Sequence, residues 1–226
     1  MLFLNRISHS ICIGKELGVV ADIIVDAFYN SSTTQGWKPL YRLAELNRLQ
    51  QNFPYSDPHL HQMCVAISTG TNQVIGFCDV DARPCPNHIR PPLPRPYLSD
   101  LSVHPDFRRR GIAKRLIATS ETFLQTIPQT ELYIRVEEAN DAAVALYQSL
   151  NYAITEREPA DKDKGIILVM RKSLTTTTTT ATTTTANDNI NNTYSQKKLQ
   201  QTLGRDYSKT SISKYYPCSK IGRFSC

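Results

Sequence analysis

Apolar positions along this chain switch between helical and strand periods in a regular order. In GVVADIIVDAFY (18–29), Val20, Ile23, Ile24 and Ala27 fall at helical spacing with Asp22 and Asp26 opposite, which predicts an amphipathic helix. PLYRLAELNRLQ (39–50) predicts a second helix, stopped by Pro54. QMCVAIS and QVIGFCDVDA are strand-like runs joined by the turn GTNQ, a hairpin signal. Then comes a loop containing Pro84, Pro86, Pro91, Pro92, Pro94 and Pro96, which cannot continue a sheet and is expected as a stiff surface segment. Beyond it the pattern predicts strand YLSDLSV, helix GIAKRLIATSETFLQ, strand ELYIRVE, helix NDAAVALYQSL, and two last strands around YAITER and GIILVMRK. Helices and strands mixed in this order, with one early hairpin, predict an α/β domain with a mixed sheet.

The pattern stops near residue 172. Ten of the fourteen residues from Ser173 to Ala186 are Thr, and the polar, basic stretch that follows has little to bury. We therefore expect a folded domain over 1–172 and a disordered tail over 173–226. This division changes the meaning of the net charge of +6. The tail carries seven Lys or Arg against two Asp, a balance of +5, which leaves +1 for the first 172 residues. A basic pI is then mainly a property of the tail and is no argument that the domain binds nucleic acid.

The six cysteines, at 12, 64, 78, 85, 218 and 226, include no C-x-x-C pair; Cys64 and Cys78 sit in strand-like runs. They are read as reduced thiols, mostly buried, with neither a zinc site nor a disulfide framework. No apolar run reaches the ~18 residues of a membrane span. MLFLNRIS is too short for a secretory signal and no transit segment is evident, so a soluble intracellular protein is expected.

One stretch carries chemistry. VHPDFRRRGIA (103–113) joins the end of a strand to the start of a helix. A helix start presents unpaired N–H groups and a dipole that favours negative charge. Gly111 has no Cβ and Ala113 little more, so a phosphate can approach the backbone closely, and Arg108, Arg109 and Arg110 add positive potential. The combination describes a pyrophosphate cradle. It is neither a Walker A loop nor the three-glycine dinucleotide fingerprint.

VHPDFRRRGIAKRLI resembles motif A of the GNAT superfamily of acetyl-CoA-dependent N-acetyltransferases, V-x-P-x-x-[RQ]-x-x-G-[IVL]-[GA], at Val103, Pro105, Arg108, Gly111, Ile112 and Ala113. A second family pattern, N-x-x-A-x-x-[LF]-Y-x-x-x-G-[FY], is met by Asn140, Ala143, Leu146, Tyr147 and Tyr152. Asn151 stands where glycine is usual, at a helix end that wants a left-handed backbone, which Asn tolerates. The resemblance covers about residues 1–172, strongest over 97–152, and is nearest to cyanobacterial and plastid-type members. It implies the GNAT (acyl-CoA N-acyltransferase) fold, a mixed, mostly antiparallel central sheet flanked by helices, with cytoplasm or plastid both open as the compartment.

The resemblance also implies a reaction: an amine attacks the thioester of acetyl-CoA directly, without an acyl-enzyme and without a metal. Backbone amides near Leu101, Ser102 and Val103 would stabilise the developing oxyanion. Arg108, Arg109, Arg110, Gly111, Ile112, Ala113, Asn140, Ala143 and Tyr147 would hold the coenzyme, and Tyr147 would protonate the leaving thiolate. Some protein-acetylating relatives carry a glutamate on the next strand, but Arg135 stands at the matching position and cannot be a base. Asp100 or Glu137 is the expected substitute. A protein α-amine has pKa ~8 against ~10.4 for lysine, a difference of about 3 kcal/mol for deprotonation at neutral pH, so protein N-termini are the expected acceptors, with lysine second.

Rival readings stay open at this point. Tyr147 also suits a core aromatic beside Ala143 and Leu150, and Asn140 a helix N-cap. RRRGIAKR, with five basic residues in eight, also suits a nucleic-acid patch, although such a patch does not require Gly111 or Ala113. His104 reads as a turn residue, and His59 and His61 as loop residues. Acceptor alternatives are a small-molecule amine or none, in a coenzyme-binding module without catalysis.

Overall fold

The computed structural model describes residues 7–12, 14–29, 34–53, 57–85, 93–160 and 165–174. In them the order is β1 (Ile7–Ile11), α1 (Leu17–Phe28), α2 (Lys38–Asn52), β2 (His61–Ser68), β3 (Gln73–Asp81), β4 (Tyr97–Val103), α3 (Ile112–Leu124), β5 (Glu131–Glu137), α4 (Asp141–Ser149), β6 (Ala153–Pro159) and β7 (Ile166–Ser173). The strands form one sheet in the order β1-β2-β3-β4-β5-β7-β6. Every neighbouring pair is antiparallel except β4 with β5. The expected α/β class and mostly antiparallel mixed sheet are what the chain forms.

Alternation on the strands feeds two cores. On one face, Cys64 and Ala66 of β2, Cys78 and Val80 of β3, and Leu132, Ile134 and Val136 of β5 pack with α3 and α4. The stripe Ile112, Leu116, Ile117, Ser120 and Leu124 is the buried side of α3. On the other face, Met63 and Val65 of β2 and Phe77 of β3 pack with Leu17, Val20, Ala21 and Ile24 of α1 and Leu49 of α2. A Cβ on Gly76 would lie 3.2 Å from Ile112 Cγ2, Leu116 Cδ1 and the Ser102 carbonyl oxygen, so this glycine lets α3 settle closely on the sheet.

Several expectations need correction. The pattern of the first dozen residues predicted nothing, yet Ile7–Ile11 forms β1, an edge strand paired to β2. Its place comes from a partner more than fifty residues away, which local pattern does not register. His61 was read as a loop residue; it opens β2 and is fully buried, because Asp79 on the neighbouring strand takes its ring nitrogen. Ordered packing also runs slightly past residue 172. β7 reaches Ser173, and buried Leu174 donates its amide to the Thr130 carbonyl at 2.7 Å. The threonine tract from 175, residues 86–92 of the proline-rich loop, and Pro54 lie outside the described residues.

Cys12, Cys64 and Cys78 are buried thiols, as expected, and Cys85 is partly exposed. Burial, then the charge of Glu16, pushes the Cys12 thiol up to about 12. Cys78 is held well above its ordinary value by its neighbour Cys64 and by burial. Neither forms a nucleophilic thiolate at neutral pH.

Candidate active site

The turn between β4 and α3 is built by its own arginines. Pro105–Phe107 makes a single tight turn in which the His104 ring accepts from the Asp106 amide at 3.3 Å and meets Phe107 edge-on. Arg108 Nε donates back to the Val103 carbonyl at 3.1 Å. Arg110 donates to the Asp106 carbonyl at 2.9 Å and lies over the Phe107 ring. Two of the three guanidinium groups thus brace the turn they were expected only to charge. Arg109 and Gly111 adopt left-handed backbones, φ 61° and 77°.

Gly111 is the N-cap of α3 and has no side chain to cap it. The first internal bond of the helix runs from the Arg115 amide to the Gly111 carbonyl, so the amides of Ile112, Ala113 and Lys114 precede the ladder. They open on a cleft of about 370 Å³ that runs from this turn to the outward face of α4, where Ala142, Ala145, Leu146 and Ser149 line it. Small side chains, exposed amides and the flanking Arg108, Arg109 and Lys114 suit an elongated anion such as a diphosphate.

Beside this cleft the sheet opens. The parallel pair β4 and β5 meets in register only at Tyr97 and Tyr133, with the Tyr133 amide donating to the Pro96 carbonyl at 3.0 Å. From Leu98 onwards the β5-facing edge of β4 has no strand partner among the described residues. A bulge lies within this opened stretch. Ser102 faces Phe77 and Ser99 faces Asp79, so β4 takes three steps where β3 takes two. The extra residue is accommodated at Asp100, whose φ is 53°. Leu98 and Leu101 therefore both face the α3 side, three residues apart, and Asp100 turns to the α2 side.

On that side α2 presents an unusual stripe. Glu45, Arg48, Leu49 and Asn52 fall at i, i+3, i+4 and i+7, and three of the four are polar. Arg48 bridges two carboxylates, reaching Glu45 through Nε and Asp100 through Nη2, both at 2.7 Å. The Tyr29 hydroxyl donates to the other oxygen of Glu45 at 2.8 Å. Asn52 donates to Asp79 at 3.1 Å, and His61 Nε2 lies 2.6 Å from the second Asp79 oxygen. Burial pushes the Asp100 carboxyl above the ordinary aspartate value. Arg48 pulls against that, and the charges of Asp79 and Glu45 reinforce it. With its side chain 14% exposed, this carboxyl is held higher than that of a surface aspartate.

The expected residues divide three ways. Val103, Arg108, Arg109, Gly111, Ile112 and Ala113 line the cleft together. Leu101 and Ser102 lie on the bulged strand beside the opening, and Arg110 braces the turn. Asn140, Ala143 and Tyr147 hold α4 rather than line the cleft. Asn140 caps the helix by accepting from the Ala143 amide at 3.2 Å, Ala143 is fully buried, and Tyr147 is 3% exposed with its ring edge-on to Tyr152 at 5.6 Å. Tyr152 is anchored in turn to Glu121 at 3.0 Å, and Asn151 takes the left-handed conformation expected of it, φ 67°.

Of the two base candidates, Asp100 sits at the bulge within the polar network, whereas Glu137 is exposed at the end of β5. Arg135 is tied to Glu158 across β7. Sequence reasoning missed Lys114, Ala142, Ala145 and Ser149 as cleft residues, and Glu45 and Arg48 as partners of Asp100. The α4 residues are legible as the helix face opposite Ala143 and Tyr147. The α2 pair gives a local signal only as polar residues on what should be a buried stripe.

Among the described residues no group of three or more His, Cys, Asp or Glu is placed to hold a metal ion, and no helix is long and apolar enough to cross a membrane.

The sequence profile of the acetyltransferase (GNAT) family matches residues 22–152. An acetyltransferase of Pectobacterium atrosepticum is 44% identical over 52 residues, 23% of this chain and 37% of that protein. The match thus spans little more than a third of that relative's length. A chloroplastic GCN5-related N-acetyltransferase of Arabidopsis thaliana is 28% identical over 78 residues, 34% of this chain and 24% of that protein. Among solved structures, Salmonella typhimurium yncA, solved with its cofactor acetyl-CoA, superposes with a TM-score of 0.53 at 15% identity, covering 76% of this chain and 95% of that one. At that identity the likeness is one of fold.

Proposed function

The chain belongs to the GNAT acetyltransferase family, and on that premise we propose that it transfers acetyl from acetyl-CoA to a primary amine, with protein N-terminal α-amines as the preferred acceptors and lysine side chains second. The observation that carries this reading is the opening between β4 and β5. The strands part after Tyr97, and the cleft at the start of α3 begins where β4 ends, at Val103, which supports an extended thioester lying along β4 with its diphosphate in the turn.

In this reading the amides of Ile112, Ala113 and Lys114 hold the diphosphate, with Arg109 and Lys114 adding charge. The acceptor nitrogen attacks the thioester carbonyl carbon. A C–N bond forms, the C–S bond breaks, and backbone amides of the bulged strand at Leu101 to Val103 bind the carbonyl oxygen as it gains charge. Asp100 takes the proton from nitrogen. The proton returned to the sulfur, which has a basicity comparable with that of a phenol, is assigned to Tyr147 on its motif position alone, since its ring packs on Tyr152 and does not line the cleft. Glu137 is the alternative base, acting through water at the open end of β5. Kinship with plastid-type members is supported by the Arabidopsis match.

The test is mass spectrometry of two peptide pools incubated with the full chain and acetyl-CoA. One pool has free N-termini and no lysine; the other has blocked N-termini and one lysine. Acetylation faster on the first pool is expected, by the ~3 kcal/mol smaller cost of deprotonation. Faster lysine acetylation overturns the acceptor preference. Tyr147→Phe should bind coenzyme A as before and lose about a hundredfold or more in kcat, as when a general acid is removed. Coenzyme binding by the parent chain without turnover on peptides or small amines would identify a binding module instead.

A further inference from the structure

Helix α2 turns Leu46 and Leu49 to the core, yet it also buries charge there and leaves two other leucines in solvent. Leu40 and Leu43 are 57% and 63% exposed, while Glu45 is 1% exposed and Arg48 reaches inward to Asp100. A surface helix ordinarily turns its leucines to the core. Taking ions out of water costs several kcal/mol each, and apolar replacements of buried ion pairs are often as stable or more so. The Glu45–Arg48–Asp100 chain therefore has no explanation in stability alone. It ends, moreover, on the residue where β4 bulges beside the opening.

We infer that Arg48 is a positioning residue for the acetyl transfer: gripped by Glu45, it fixes the Asp100 carboxylate at the β4 bulge in the orientation from which it takes the acceptor's proton. The inference rests on the reading of Asp100 as the base. Arginine suits this task because two of its nitrogens reach two carboxylates at once, Nε in a hydrogen bond to Glu45 and Nη2 as an ion pair with Asp100, whereas a lysine ammonium is a single point. The Tyr29 hydroxyl fixes Glu45 from the end of α1, so the orientation of Asp100 is set by elements on both sides of the α1–α2 connection.

The charged groups around Asp100 give opposite signs to two substitutions. From α2 come Arg48, which favours the carboxylate, and Glu45, which disfavours it. From β3 comes Asp79, also disfavouring, itself held by His61 of β2 and Asn52 of α2. The α1 carboxylates Asp22 and Asp26 are paired with Arg42 and Lys38, and Arg135 of β5 is paired with Glu158.

Removing Arg48's charge must raise the pH at which Asp100 ionises. Removing Glu45's charge must lower it, both by loss of repulsion and by releasing Arg48 to Asp100 alone. An opposite charge at this range shifts a carboxyl by about 1 to 3 pH units. R48Q should therefore move the acid limb of kcat/KM up by about one pH unit or more, and E45Q should move it down.

The experiment measures kcat/KM against pH with one α-amine peptide throughout, so that the substrate's own amine contributes equally. The chains compared are the parent, R48Q, R48K, E45Q and D100N, each checked for folding by thermal melting and for coenzyme A affinity by calorimetry. R48K keeps the charge; its acid limb should stay near the parent's while kcat falls tenfold or more for want of the fork. Opposed movement of the limb in R48Q and E45Q with unchanged coenzyme affinity supports the inference. If R48Q does not fold, R48K and E45Q still decide it. Lowered stability with unmoved limbs marks a structural role and overturns it. D100N that keeps the parent's rate and limb overturns the base assignment instead, a result distinguishable from the first.

Discussion

Replacing Gly111 with alanine separates what the backbone of the turn contributes from what the side chains contribute. At φ 77° an L-residue suffers a clash between its Cβ and its own backbone that glycine avoids, costing about 1–2 kcal/mol. No further cost arises from neighbours, since a Cβ built at this position meets nothing within 4 Å. Against this the methyl removes about 0.4–1 kcal/mol of freedom from the unfolded chain, so the expected net loss is up to about 1.6 kcal/mol. For a domain of this size each kcal/mol lowers Tm by about 2–4 °C, giving a fall of up to about 6 °C by scanning fluorimetry. The same methyl would project into the space an anion must enter to reach the amides of Ile112 and Ala113. Coenzyme A affinity by calorimetry should fall at least tenfold, about 1.4 kcal/mol.

Arg109→Gly in the same turn is the counterpart. It relieves left-handed strain at φ 61°, about 1–2 kcal/mol, against about 0.4–1 kcal/mol of extra freedom given to the unfolded chain. Stability should stay the same or rise by up to about 1.6 kcal/mol while coenzyme affinity falls through the lost charge. A Gly111→Ala protein with raised Tm would show that the turn is not held left-handed in solution. Unchanged coenzyme affinity in both variants would show that the anion binds elsewhere.

Two further outcomes follow from the sheet and its buried charges. Burial raises the Asp81 carboxyl, but hydrogen bonds from Arg83 and then the charge of Arg95 outweigh it, so Asp81 titrates below its ordinary 3.8 when folded. A depressed carboxyl stabilises the fold above its unfolded pKa and loses that contribution as pH falls through its folded value. In urea unfolding between pH 7 and 3, Asp81→Asn should be the less stable protein at pH 7 and converge on the parent below pH ~4; parallel curves would refute the linkage. Gly76→Ala should cost about 1–3 kcal/mol by overpacking against Ile112 and Leu116, and weaken coenzyme A binding by shifting the start of α3. Full stability with unchanged affinity would show that α3 yields without moving the turn.

The local pattern of this chain determined its helices and all but one of its strands, because each must show an apolar stripe of period 3.6 or 2 to a core. It also determined the turn at 103–113, whose chemistry lies in consecutive residues: a proline, arginines, then a glycine where only a left-handed backbone will serve. The edge strand at Ile7–Ile11 was not legible, since its place comes from pairing with β2. His61 looked like a loop residue because its partner, Asp79, is eighteen positions away. Tertiary structure alone turned Asp100 from the strand's regular alternation to the α2 face, through an extra residue in β4 that its register with β3 reveals. It alone placed Glu45 and Arg48 beneath that bulge, more than fifty residues earlier in the chain. Motifs of neighbouring residues can be read from order along the chain. A network of charges assembled from a bulge, a helix stripe and a second strand exists only once burial has removed the water that would otherwise screen those charges from one another.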